Sequence, residues 1–210
     1  MSVRTPIILC MLLTMASTAV GLMVANRIKS FKPNYVIQTR LFSAANDAVP
    51  TNILCDIISS SADAPQCKVD EAKDFGSVLK GYKKCVLFAV PGAFTPTCSV
   101  SHLPGFITSA SAMKAKGVEA IFCLSVNDRF VMKSWGDATA GFAASGVQLV
   151  ADGNGEFTKA LGQVKDATGG RMGLRSMRYA MIIENGVITS VNVDEKGLDK
   201  SSAETIMSLL

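Results

Sequence analysis

The stretch Lys84-Cys-Val-Leu-Phe-Ala-Val-Pro-Gly-Ala-Phe-Thr-Pro-Thr-Cys98 decides the fold of this chain. Its first half, from Lys84 to Val90, is a short and continuous apolar run, which is typical of a strand buried on both faces of a sheet. Pro91-Gly92 ends that strand, and a helix is predicted from Pro96 to Lys116. The order strand, loop, helix places Cys98 in or near the first turn of that helix.

Strands and helices alternate along the rest of the chain. Strands are predicted at 118–126, 147–151, 179–184 and 187–193, and helices after Asn127-Asp128, at 155–161 and at 201–210. Asn185-Gly186 between two strands is a strong signal for a hairpin. These elements predict an α/β fold with a mixed central sheet flanked by helices. Ligands of such sheets bind beyond the carboxyl ends of strands, which is where the loop 91–98 falls.

Residues 1–45 have the composition of a cleavable targeting leader, and residues 46–210 have the size of a single domain. An uncharged run, 5–26, resembles the apolar core of a signal peptide, and 27–45 is basic, acid-free and rich in hydroxyls like a transit peptide. A bipartite leader for a plastid and one long mitochondrial presequence are the two main interpretations. Secretory retention or a membrane anchor is the third. The mature form is expected to have no stable association with membranes.

The net charge of +4 belongs to the leader. Without residues 1–45, the chain has 16 basic and 17 acidic residues, so the body shows no basic excess that would favour a nucleic-acid partner. The six cysteines are too sparse for a disulfide scaffold, and neither a C-x-x-C motif nor a second histidine accompanies them. No metal site and no cofactor are therefore expected.

Cys98 is the candidate nucleophile. The start of a helix gathers free backbone N–H groups and the positive end of the helix dipole, and both favour the thiolate over the thiol. Thr95 and Thr97 supply hydroxyls that can hold a small polar substrate. A buried cysteine in an ordinary helix is the plain alternative. His102, four residues further on, also allows a Cys–His pair as in thiol hydrolases, although no residue that would orient the imidazole is evident.

The segment from Val90 to Ser99, continued by His102-Leu-Pro-Gly-Phe106, resembles the active-site segment of the type II peroxiredoxins of the thioredoxin-like superfamily. Three further blocks resemble the same family in the same order, at 123–136, 152–161 and 175–193. The likeness covers about residues 48–210 and stops at the leader. It implies a thioredoxin-like fold and a peroxidase that needs neither metal nor haem.

The resemblance also assigns roles to residues. The family pattern P-x-x-x-T-x-x-C falls on Pro91, Thr95 and Cys98, and the distant arginine of the family falls on Arg178. Cys98 would attack hydrogen peroxide or a small alkyl hydroperoxide and become a sulfenic acid. Arg178, the Thr95 hydroxyl and the Cys98 backbone N–H would stabilise the leaving oxygen. Pro91 would shield the site from water.

The return of the sulfenic acid to the thiol has two candidate routes. In plant members of the family a cysteine at the place of Cys123 forms an intramolecular disulfide, and direct reduction by an external thiol is the alternative. The resemblance implies glutathione with glutaredoxin, or thioredoxin, as reductant, and a homodimer. A peroxide sensor that signals through Cys98 oxidation is the alternative function. Cys55, Cys67 and Cys85 are interpreted as structural, and Cys10 belongs to the leader.

Overall fold

The strand that precedes Cys98 lies at the centre of a mixed sheet. The computed structural model describes residues 46–210, so the predicted leader, 1–45, lies outside the described residues. The strands are β1 Leu54–Ser61, β2 Ala64–Val69, β3 Lys73–Asp74, β4 Lys84–Val90, β5 Ala120–Ser125, β6 Val147–Ala151, β7 Val164–Asp166, β8 Leu174–Ser176, β9 Arg178–Glu184 and β10 Val187–Asp194. The α-helices are α1 Phe75–Lys80, α2 Leu103–Ala115, α3 Arg129–Ala138, α4 Phe142–Ser145, α5 Glu156–Ala160 and α6 Ala203–Leu209.

The main sheet has the strand order β10-β9-β4-β5-β6-β1-β2, with β3 paired to β1. β4, β5 and β6 are parallel, whereas β9 and β1 join their neighbours antiparallel. Parallel neighbours need crossover connections, and the helices between β4, β5 and β6 supply them. The predicted mixed sheet flanked by helices is confirmed.

Alternate residues of β4 face opposite layers of the core, because successive side chains of a strand point to opposite sides of the sheet. Val86, Phe88 and Val90 belong to one buried cluster, which the residues of α2, α3 and α6 complete. Cys85, Leu87 and Ala89 belong to the other, together with residues of α1 and α5. Burial on both faces explains why the β4 sequence is apolar throughout.

The hairpin of β9 and β10 turns at Asn185 and Gly186, whose φ angles are 51° and 77°. These left-handed angles are the ones a two-residue hairpin turn requires, and Asn-Gly adopts them readily. The register shifts by one residue between Ile188 and Ser190, so Arg178 at the start of β9 pairs with Asp194 at the end of β10. This bulge determines what faces Arg178.

The structure contains two antiparallel pairs that the sequence pattern did not predict. β1 and β2 form a hairpin at one edge of the sheet, and β7 pairs with β8 in a small separate sheet. Apolar and polar residues do not alternate clearly in β2, and β7 and β8 are each only three residues long. None of these strands therefore shows the two-residue period that predicts a strand. Among the helices of residues 46–210, none has the length and apolarity to cross a membrane.

Candidate active site

Cys98 begins a wide helical turn, two helical residues after the loop that follows β4. The turn spans Cys98–His102 and is π-helical, with the Leu103 N–H donating to the Cys98 carbonyl oxygen five residues back. Such turns are rare and are frequent at functional sites. Trp135 of α3 braces the turn, because its indole N–H donates to the Ser99 hydroxyl at 3.0 Å. The predicted position of Cys98 at the start of a helix is confirmed, and its side chain is 0% exposed.

Arg178 brings a positive charge to the Cys98 thiol. Its guanidinium Nη2 lies 3.5 Å from Cys98 Sγ, although the two residues are 80 positions apart in sequence. The sheet makes this contact, because β9, which begins at Arg178, lies directly beside β4. Both side chains are buried, so little water screens the charge from the sulfur.

His102 holds the other nitrogen of the Arg178 guanidinium. Arg178 Nη1 lies 3.1 Å from His102 Nδ1, and His102 Nε2 lies 3.0 Å from the Ser201 carbonyl oxygen. A carbonyl oxygen only accepts, so Nε2 carries the proton and Nδ1 accepts from Arg178. Burial, aided by the Arg178 charge and opposed by the hydrogen bond to Ser201, lowers the pKa of His102 to about 4, so the imidazole is neutral at physiological pH.

Asp194 organises the turn that supplies the Ser201 carbonyl. Its carboxylate accepts hydrogen bonds from the N–H groups of Asp199, Lys200 and Ser201 and from the Ser201 hydroxyl. Burial acts to raise the pKa of Asp194, but the Ser201 hydroxyl and the N–H groups outweigh it and lower the pKa overall. The segment after β10 is therefore tied to a carboxylate that stays ionised.

The loop between β4 and the π turn is held by hydrogen bonds at several points. The Thr95 hydroxyl donates to the Gly92 carbonyl at 2.9 Å. The Ala93 N–H donates to Asn127 Oδ1 at 3.0 Å, and the Ser125 hydroxyl donates to the same oxygen at 2.7 Å. Because the Thr95 proton is committed to Gly92, its oxygen is placed to accept a hydrogen bond, such as one from a peroxide O–H.

Pro91, Thr95 and Cys98 lie on this one loop and turn, and the sheet brings Arg178 to them. Pro91 directly follows the last residue of β4 and is partly buried. The structure therefore brings Arg178 to the thiol and places Pro91 and Thr95 on the loop that leads to it.

Cys123 lies in the middle of β5, in the same buried cluster as Cys98. Both thiols are free. Burial raises the pKa of Cys123 well above its ordinary value; the Cys98 charge raises it further, and Arg178 opposes both. Cys123 is therefore a protonated thiol in this conformation.

The remaining cysteines of the described residues are buried strand residues. Burial raises the pKa of Cys85 to about 12 and that of Cys67 to about 11, and it raises the pKa of Cys55 further. Thiols that ionise so poorly are unreactive at neutral pH, in line with their interpretation as structural. Within residues 46–210, no group of His, Cys, Asp and Glu side chains is arranged to hold a metal ion.

We expect His102 to make the protein sensitive to acid. The pKa of His102 falls from 6.5 to about 4 on folding, so between these values the unfolded chain binds the proton more readily and stability is lost as the pH falls. The loss amounts to about 3 kcal/mol of unfolding free energy. Urea unfolding across this pH range should show a shallower slope for His102→Asn than for the original chain. Equal slopes would contradict the assignment.

Three polar groups of the site were not singled out as site residues from the sequence. They are Asn127, Asp194 and Ser201. The sequence did indicate Asn127 as a possible site residue, because it follows the carboxyl end of β5, which lies beside the carboxyl end of β4. No such indication exists for Asp194 and Ser201, since the register shift in the hairpin and the turn after it leave no mark in the residue pattern.

The chain matches the family model described as Redoxin over residues 44–207. It is 51% identical over 135 residues to "Peroxiredoxin-2E-2, chloroplastic" of Oryza sativa subsp. japonica, covering 63% of this chain and 60% of that protein. It is 40% identical over 171 residues to "Peroxiredoxin-2E, chloroplastic" of Arabidopsis thaliana, covering 80% of this chain and 69% of that one. The alignment thus spans less than two thirds of the rice protein.

A solved structure gives the same result for the fold. The crystal structure of reduced Prx3 from Vibrio vulnificus, in complex with H2O2, superposes with a TM-score of 0.67 at 46% sequence identity. The match covers 80% of this chain and 99% of that one. It therefore includes the loop, the π turn and the strands that carry the residues described above.

Proposed function

Because this chain belongs to the Redoxin family as a type II peroxiredoxin with a thioredoxin-like fold, we propose that it is a thiol peroxidase that reduces hydrogen peroxide and small organic hydroperoxides. The observation that carries the proposal is the contact of the Arg178 guanidinium with the buried Cys98 thiol at 3.5 Å. Nothing else in the described residues combines a thiol at a helix start with a buried cation.

The reaction begins with the Cys98 thiolate, which attacks one oxygen of the peroxide. A sulfur–oxygen bond forms, the oxygen–oxygen bond breaks, and the second oxygen leaves as hydroxide or alkoxide and takes up a proton. Arg178 is the donor that stabilises the negative charge on that leaving oxygen. Thr95 accepts the peroxide O–H and orients the substrate. Pro91 keeps bulk water from the thiolate.

The burial of Cys98 restricts the substrate. The thiol is 0% exposed, so a hydroperoxide reaches the sulfur only through a local opening, and a small hydroperoxide needs less opening than a bulky one. A protein reductant must reach the same sulfur, and it therefore needs that turn to open. We assign the antioxidant activity to the closed conformation and the regeneration of the thiol to the open one.

Turnover distinguishes an enzyme from a sensor. The purified protein with excess hydrogen peroxide and an excess of either thioredoxin or glutathione with glutaredoxin should consume many peroxide molecules per chain. The remaining peroxide is measured over time. Consumption of a single peroxide per chain with both reductants would contradict the peroxidase and favour a sensor that signals through Cys98 oxidation.

Cys123 is the candidate resolving thiol, and its role is tested by the choice of reductant. With Cys123→Ala, peroxide turnover should be lost with thioredoxin, which reduces a disulfide, and retained with glutathione and glutaredoxin, which can reduce Cys98 directly. Cys67→Ala is the matched control, because Cys67 is a buried strand thiol of the same cluster. Equal activity of Cys123→Ala with both reductants would contradict the resolving role.

A plastid is the compartment that we assign to this chain. The acid-free, hydroxyl-containing composition of residues 27–45 supports it, and the two relatives described above are named as chloroplastic. A fluorescent fusion of residues 1–45 should accumulate in plastids. Accumulation in mitochondria would favour the single presequence instead.

A homodimer completes the proposal. Val100, in the π turn, is 76% exposed and Phe94, in the loop before it, is 55% exposed, and a second copy of the chain would cover both. Sedimentation at rising concentration should give twice the mass of one chain, and charged substitutions at Val100 should restore the monomer.

A further inference from the structure

Arg178 hydrogen-bonds to a neutral side chain, although a carboxylate lies opposite it on the neighbouring strand. The cross-strand partner of Arg178 is Asp194, and opposite charges in such positions ordinarily pair. Here Asp194 is 6% exposed, and its carboxylate accepts hydrogen bonds from the N–H groups of the turn at 199–201 instead. Among the ion pairs of residues 46–210, none involves Arg178. The acceptor for Arg178 is instead the His102 imidazole.

A neutral acceptor and a carboxylate have different effects on Arg178. A carboxylate would neutralise the guanidinium charge and turn it away from the sulfur. An imidazole accepts one N–H and leaves the charge uncompensated, so that the second nitrogen faces Cys98 Sγ at 3.5 Å with its full attraction for an anion. The Ser201 carbonyl fixes the tautomer that makes this possible.

We propose that His102 is a positioning residue for the peroxidase reaction, one that orients Arg178 toward the leaving oxygen while leaving its charge free. The charged groups that act on the imidazole are Arg178 from β9 and Asp194 from β10. Asp194 contributes indirectly, because it holds the Ser201 turn that fixes the tautomer. This inference rests on the proposed function, since it assigns His102 a part in that reaction.

The location of His102 in the π turn joins this role to the nucleophile. Cys98 and His102 are the first and last residues of one turn, so a single backbone segment carries both the thiol and the group that orients its cation. Opening of that turn would withdraw the acceptor from Arg178 at the same time as it exposes the sulfur. The activated arrangement therefore exists only when the turn is closed.

Three variants of the full chain test the inference. His102→Phe keeps an aromatic ring against the stacked Phe88 and Phe106 but removes both hydrogen bonds, and His102→Asn keeps a neutral acceptor for Arg178. Phe106→Leu is the matched control, since Phe106 packs on Phe88 and His102 and has no polar group that could bond to Arg178. Each variant is assayed for the rate of Cys98 oxidation by hydrogen peroxide and, separately, for the rate of Cys98 alkylation by iodoacetamide.

The peroxide reaction should be affected more than alkylation, because only the peroxide has a leaving oxygen for Arg178 to stabilise. Loss of a hydrogen bond to a charged group predicts a drop of about ten- to a hundred-fold in the oxidation rate of His102→Phe. Alkylation should change by less than about three-fold, and His102→Asn should recover most of the oxidation rate. Phe106→Leu should stay within about three-fold of the original chain in both reactions.

Two outcomes would overturn the inference. One is an unchanged oxidation rate in His102→Phe, and the other is an equal loss in Phe106→Leu and His102→Phe, which would reduce His102 to a packing residue. If His102→Phe does not fold, a loss of about ten-fold or more in the oxidation rate of folded His102→Asn, which keeps the acceptor, decides the matter against it. Failure of the proposed function is distinct, because the original chain itself would then not oxidise at Cys98.

Discussion

Replacing Cys98 with serine should abolish peroxide consumption, with a loss of at least about 10³-fold against the original chain. The serine hydroxyl has nearly the volume of the thiol, but it does not ionise near neutral pH and cannot form the sulfenic acid. The measurement is the decay of hydrogen peroxide with excess reductant. Because serine fills nearly the same space in the buried cluster, the substitution should leave the fold intact.

Cys85→Ala is the control for Cys98→Ser. Cys85 is a buried thiol of β4, on the face of the sheet opposite Cys98, and its loss should leave consumption within about two-fold of the original rate. Peroxide consumption that persists in Cys98→Ser would refute the peroxidase and the sensor together, since both begin with oxidation of this sulfur.

Replacing Arg178 with methionine should lower the rate of Cys98 oxidation by about 10²–10³-fold. Methionine has a similar length and suits the buried position, so the main loss is the charge that faces the sulfur and the leaving oxygen. Arg178→Lys should recover only part of the rate, because an ammonium group cannot present two nitrogens in one plane to His102 and Cys98. The measurement is the second-order rate constant with hydrogen peroxide.

Arg171→Met controls for the loss of one positive charge. Arg171 lies on the same stretch of chain, but its side chain is exposed, so solvent screens its charge and the rate should change little. A comparable loss in both variants would mean that net charge, and not the contact with Cys98, accounts for the effect. An unchanged rate in Arg178→Met would remove Arg178 from the mechanism.

Local pattern was sufficient to predict the part of the site that lies on one segment of chain. The apolar run of β4, the Pro91-Gly92 break and Pro96 at the helix start place Cys98, because each of these signals acts through its immediate neighbours. Asn185-Gly186 likewise fixes the hairpin. Arg178 was found through resemblance to a family, since nothing about its neighbours distinguishes it from a surface arginine.

The surroundings of Arg178 could not be predicted, because they depend on a one-residue shift in the pairing of β9 with β10. A regular Asn-Gly hairpin would place Arg178 opposite Val193, whereas the bulge near Thr189 moves Asp194 into that position. Whether Asp194 then pairs with Arg178 or with the turn at 199–201 depends on the path of the chain after β10. Tertiary contacts decide both points, and they leave no local signal.

The π turn also determines which side chains at the start of the helix face the sheet. The buried residues of α2 are Leu103, Phe106, Ala110 and Met113, and an unbroken α-helix with this phase would put Ser99 against the sheet. One extra residue in the turn resets the phase, so that Cys98 is buried and Ser99 is turned toward Trp135. Regular α-helical bonding without a deletion would put Ser99 at the buried phase, whereas deleting the one residue between Ser99 and Ser101 would keep Cys98 there, four positions before Leu103. The nucleophile of this protein is thus chosen by helical phase as much as by amino-acid identity.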